Sequence, residues 1–173
     1  DPSALAPGSY TVTVTDANNC IAIASAIIST STPSGFGYTP TNTSGVLVAE
    51  VQIDGQPADV SDWIAAFDSD GNCAGSDQLI DFGNGTYWAN LTIYGDDVLT
   101  AFDEGMVGGD QMSFQLLDVS SGEFLSLGGV CCWTNNNGAP MPGFTAADGY
   151  VLNFTTSTID DVNLLAGWNQ ISI

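Results

Sequence analysis

The sequence predicts an all-β fold, a β-sandwich, and two observations carry that expectation. Apolar and polar residues alternate at period two in one segment after another, and helical periodicity is nowhere sustained. Between these segments stand the turn dipeptides Asp54-Gly55, Asp70-Gly71, Asn84-Gly85 and Ser121-Gly122, among twenty glycines and seven prolines. Short strands divided in this way bury their apolar faces most readily as two packed sheets.

Each element follows in chain order. Residues 9–15 are β-branched and alternating, residues 16–19 have the composition of a turn, and residues 20–29 resume as a strand, so residues 1–32 hold a β-hairpin. Residues 30–40, rich in Ser, Thr, Pro and Gly, read as a connector. Strands are expected at 46–53, 63–67, 86–93, 112–118, 124–127 and 150–155, which together make a main sandwich domain over residues 33–157. Residues 158–173 read as a C-terminal linking or donor strand, with Leu164, Leu165, Trp168, Ile171 and Ile173 as its apolar, assembly-forming side chains.

Charge narrows the function classes. The 173 residues include no Lys, Arg or His against 20 Asp and Glu, a formal net charge of −20. Nucleic acid is not a partner of such a chain, because phosphate binding rests on Lys and Arg. Anionic membrane surfaces are disfavoured for the same reason. No run of 18 apolar residues is present, so membrane insertion is not expected. Hydrophobic residues at 44% supply enough apolar surface for a folded domain with an acidic coat. Crowded carboxylates without cationic partners should have raised pKa values, which predicts greater stability in mild acid than at neutral pH.

Catalysis is disfavoured by elimination. Without His there is no Ser-His-Asp triad or Cys-His dyad, and without Lys or Arg there is no Schiff base or phosphate clamp. Only paired carboxylates remain, and in so acidic a chain some pair will fall at catalytic distance by chance. No catalytic residue is assigned, and the chain is read as a non-enzyme.

Two constellations remain. Cys20, Cys73, Cys131 and Cys132 form an even set with no accompanying His and no Cys-x-x-Cys spacing, which favours disulfides over zinc. On a strand, Cys131 and Cys132 would point to opposite faces, so each is expected to pair with Cys20 or Cys73 and not with the other. Asp68, Asp70 and Asn72, with Gly71 at the sharp turn, alternate oxygen-bearing side chains as a Ca²⁺ loop does, although Leu79 stands where an EF-hand would place its bidentate Glu. The competing reading is an Asp-Gly turn with solvated carboxylates. Asp96, Asp97, Asp103, Glu104 and Asp110 form a second acidic cluster with less pattern.

Residues 3–30 resemble the second half of the SprB-type repeat of large surface adhesins from gliding bacteria that use type IX secretion. The matching text is Leu5-Ala6-Pro7-Gly8-Ser9-Tyr10-Thr11-Val12-Thr13-Val14-Thr15-Asp16-Ala17-Asn18-Asn19-Cys20. Asp62-Trp63-Ile64-Ala65-Ala66-Phe67-Asp68 and Asp70-Gly71-Asn72-Cys73-Ala74-Gly75 carry a second resemblance, over residues 36–154, to uncharacterised β-rich domains in secreted proteins of the same bacteria. Leu165-Ala166-Gly167-Trp168-Asn169-Gln170-Ile171-Ser172 looks like the opening of a further module. These resemblances imply an immunoglobulin-like β-sandwich in a stalk or adhesin at the bacterial cell surface.

The expected function is therefore a structural subunit or segment of an extracellular fibre, self-associating head to tail into a homopolymer by β-strand addition. The alternative is a carbohydrate-binding module, with a glycan as partner and Trp63, Trp88 and Tyr94 as stacking platforms.

Overall fold

The computed structural model describes residues 8–15, 18–28 and 31–156, and the chain divides into two compact units, Asp1–Thr32 and Pro33–Ile173. No α-helix occurs among the described residues. Leu164, Leu165, Trp168, Ile171 and Ile173, expected to form the donor strand, lie outside the described residues.

The first unit is a hairpin of β1 (Gly8–Thr15) and β2 (Ile21–Ile28), antiparallel and in register from Gly8↔Ile28 to Thr15↔Ile21. Asn19 takes a left-handed φ of 62° in the turn, a conformation that Asn tolerates better than most residues. Val12 and Val14 lie opposite Ala24 and Ala22 on one face, whereas Thr13 and Thr15 lie opposite Ile23 and Ile21 on the other. Val12, Val14, Ile21 and Ile23 are each at least 60% exposed.

The second unit is an all-β sandwich. One sheet is ordered β11–β3–β8–β7, from Val151–Phe154, Ser44–Ile53, Tyr87–Tyr94 and Ile80–Asp81, with the short β4 (Gln56–Pro57) added to β3. The other is ordered β10–β9–β5–β6, from Glu123–Cys131, Gln111–Asp118, Trp63–Phe67 and Cys73–Gln78. Neighbours are antiparallel except β11, which runs parallel to β3 from Val151↔Glu50 to Phe154↔Ile53. Asp54 and Gly55 both adopt positive φ, 50° and 76°, the backbone that a tight β3–β4 hairpin requires.

Alternation sends Leu47, Ala49 and Val51 of β3 and Ala89, Leu91 and Ile93 of β8 inward, where they meet Ile64, Ala66, Met112, Phe114 and Leu116 of the facing sheet. At Gly75 of β6 a methyl group would collide with the Thr92 carbonyl of β8, so glycine sets how closely the two sheets approach there.

The connector differs from expectation. Phe36 is fully buried and packs edge-on against Phe67 at 6.1 Å and Phe124 at 5.6 Å, outside the main core. Its carbonyl accepts a 2.8 Å hydrogen bond from the Ser76 hydroxyl. Residues 33–38 thus form a strap over the outer face of the β10–β9–β5–β6 sheet. The strap explains why Ala65, directed away from the core in the alternation of β5, is buried nonetheless.

Candidate functional site

At one end of the sandwich the β5–β6 turn meets the long loop between β8 and β9, and this is where the sequence places its acidic clusters. β5 ends at Phe67, and the next residue, Asp68, is buried. Its Oδ1 accepts the backbone N–H of Asp70 at 2.9 Å and of Asn72 at 2.8 Å, while Oδ2 accepts the Asn72 side-chain amide at 3.1 Å. The same amide donates to Asp103 Oδ2 at 3.0 Å, joining the two loops. Asp68, Asp70 and Asn72, the residues expected to hold Ca²⁺, are joined here as a turn staple, with the oxygens of Asp68 accepting N–H groups and Asn72 presenting its amide N–H. Among the described residues no group of three or more His, Cys, Asp or Glu is arranged to hold a metal.

Beside the staple runs a polar groove of about 290 Å³, lined by Tyr38, Asn72, Cys73, Asp103 and Glu104 among others. Burial raises the pKa of Asp103, and the nearby carboxylates of Asp68, Asp96 and Asp70 push the same way. Its neighbour Glu104 is shifted down, chiefly by the hydrogen bond that the Thr100 hydroxyl donates to it. Tyr38 stacks on Tyr94 with ring centroids 5.5 Å apart and an interplanar angle of 18°.

On the other side of the β8–β9 loop lies a more apolar groove of about 270 Å³, floored by Met106 and the buried Trp133 and edged by Thr43, Val98, Val107 and Asn135. The Trp133 indole N–H donates to the Ile93 carbonyl at 3.3 Å. Val98, Leu99 and Phe102, between the two acidic pairs of the loop, are 88%, 87% and 79% exposed. Sequence reading registered Asp96, Asp97, Asp103 and Glu104 but passed over the apolar residues between them. The available signal is that apolar residues cluster there with neither strand nor helix period.

For the cysteines, the structure sets the sulfurs of Cys131 and Cys132 against each other in place of the expected pairings, and Cys73 carries a thiol. The alternation argument fails because β10 ends at Cys131, leaving Cys132 outside the strand. Cys73 starts β6, three strand spacings from β10 in the sheet, or about 14 Å, which is beyond disulfide reach. Burial raises the Cys73 pKa, an effect to which Asp68 adds, while the thiol faces the Gly75 carbonyl at 3.7 Å. Cys20 lies in the first unit, between β1 and β2.

The aromatic candidates do not share a platform. Trp63 lies on the outer face of one sheet, while Trp88 and Tyr94 lie on the other, six residues apart along β8, or roughly 20 Å. Trp88 donates its indole N–H to the Thr86 hydroxyl at 2.9 Å and packs edge-on against Phe82.

Compared with known proteins, the chain matches no family model, no curated protein and no solved structure.

Proposed function

We propose that the chain is a non-catalytic structural segment of an extracellular bacterial fibre or adhesin, associating head to tail by β-strand addition. The observation that carries this reading is the β1–β2 hairpin. Among the described residues each strand has one neighbour in a two-stranded sheet, and Val12, Val14, Ile21 and Ile23 are solvent-exposed. Two strands alone are marginal in water, so such a hairpin calls for a covering strand. The apolar stretch bearing Leu164, Leu165, Trp168, Ile171 and Ile173 of the next copy is the proposed donor. Donor and acceptor surfaces differ, so the contact propagates as a filament.

An extracellular setting is supported by the even set of four cysteines without any accompanying His, a composition suited to disulfides in oxidising compartments. The absence of Lys and Arg also removes every site at which trypsin-like proteases cut. Sedimentation velocity and negative-stain micrographs of the whole chain, and of chains lacking residues 164–173 or 8–28, test the reading. Filaments are expected from the whole chain alone, with both truncations folded and monomeric. Continued filament growth by either truncation would remove the corresponding strand from the account.

The Tyr38–Tyr94 stack beside the polar groove favours glycan binding as a second reading, because an aromatic pair next to carboxylates and an amide suits a sugar. Screening on a glycan array with wild type and Tyr38→Ala separates it: signal that survives the substitution places any sugar elsewhere.

A further inference from the structure

We propose that the loop between β8 and β9 is a docking tip for a cationic protein segment that presents apolar side chains between its Lys or Arg residues. The inference stands apart from the fibre reading.

The tip is built, not slack. Asp97 Oδ1 accepts the Leu99 N–H at 3.0 Å, and the Thr100 N–H reaches the Asp97 carbonyl at 2.9 Å. Glu104 closes the loop, accepting the Thr100 hydroxyl at 2.6 Å and the Asp97 N–H at 3.3 Å. This turn holds Val98, Leu99 and Phe102 outward, where no described residue covers most of their surface. Three apolar side chains exposed on one hydrogen-bonded turn suit a contact surface. Met106 and Trp133 in the adjoining groove offer an apolar floor for a partner's side chain.

Charge selects the occupant. Asp96, Asp97, Asp103 and Glu104 flank the apolar residues on the loop, and no side-chain cation exists anywhere in the chain. A second copy would therefore press carboxylate against carboxylate at this tip. An anionic membrane is repelled in the same way, and a neutral one would strip water from the collar without supplying counter-charge. A basic segment with apolar residues matches both features, pairing its cations with the collar while its apolar groups cover Leu99 and Phe102.

The test uses the whole chain in chelator and three immobilised synthetic peptides: alternating Lys and Phe, alternating Lys and Ser, and alternating Glu and Phe. Wild type should bind the Lys–Phe peptide at least about tenfold more tightly than either control, since apolar and charged contacts contribute together. Binding should weaken as NaCl rises to about 0.5 M. The double variant Leu99→Ser, Phe102→Ser should lose about tenfold or more with its melting curve unchanged. Val98→Ser provides an independent second variant, expected to weaken the same binding. Equal affinity for the Lys–Ser peptide would reduce the effect to net charge and overturn the proposal. So would unchanged binding by the variants, no binding of the Lys–Phe peptide, or preferential binding to phospholipid vesicles with or without Ca²⁺.

Discussion

Asp62 is almost wholly buried in a chain that has no cation to pair with it. Its two oxygens accept backbone N–H groups instead, from Val119 at 3.0 Å and Asp59 at 2.9 Å, so it ties the approach to β5 to the β9–β10 turn. Burial raises its pKa, against the downward pull of those two N–H groups, while Asp118 and Asp59 add to the rise. The folded state therefore holds the proton more tightly than the unfolded chain. Its contribution is fully present below the unfolded value of about 4 and is lost as pH rises through the folded one. Urea melts of wild type and Asp62→Asn at pH 4 and pH 7 should show wild type losing ground to the variant at the higher pH. A pH-independent difference would contradict this.

Asp103 shares that sign. Glu104 and Asp118 have the opposite one. At Asp118 partial burial is outweighed by hydrogen bonds from Ser120 and Ser121, so its contribution is lost as pH falls. The expectation of raised pKa values throughout was right in direction at Asp62 and Asp103 and reversed where hydroxyl and amide donors converge. Donor placement depends on turn geometry, which net charge does not report.

The pairing of Cys131 with Cys132 belongs to the same scale. Peptide mapping with a non-tryptic protease should place both oxidised sulfurs in one fragment, and a fragment joining either to Cys73 would contradict the pairing.

Among the elements, legibility followed side-chain chemistry. β3, β8 and β9 were readable to within about two residues because apolar residues alternate with polar partners and one face is buried, and β5 was readable as a short apolar run bounded by Asp62 and Asp68. β6 was missed because Ala74, Gly75 and Ser76 have neither bulk nor alternation, and all three are buried. β10 was cut short at Leu127, where the register shifts at Gly128 and Gly129, with φ of 73° at Gly129, before pairing resumes at Val130. The strap was missed for another reason: Phe36 closes a local turn, its N–H donating to the Pro33 carbonyl at 3.0 Å, in a segment with loop composition, and its burial comes from tertiary contact with Phe67, Phe124 and Ser76. Phe36→Ala should therefore destabilise the sandwich by about 3 kcal/mol, the cost typical of a buried phenyl group, as read from the urea midpoint. A change below about 1 kcal/mol would mean that the strap is dispensable.

For the whole molecule, a charge of −20 with no opposing cation leaves backbone hydrogen bonds and apolar burial as the available means of association between copies. Monovalent salt should consequently favour assembly by screening repulsion. The candidate site was only partly legible at this scale, since the acidic residues were visible but their engagement by N–H groups and the apolar tip between them were not. The central claim is that the hairpin is completed by another copy, and hydrogen–deuterium exchange over residues 8–28 across protein concentration tests it most directly. Fast exchange in dilute monomer should give way to protection as filaments form, while the amides of β3 and β8 remain protected throughout. Full protection of the hairpin in the monomer, or fast exchange persisting within filaments, would contradict the account.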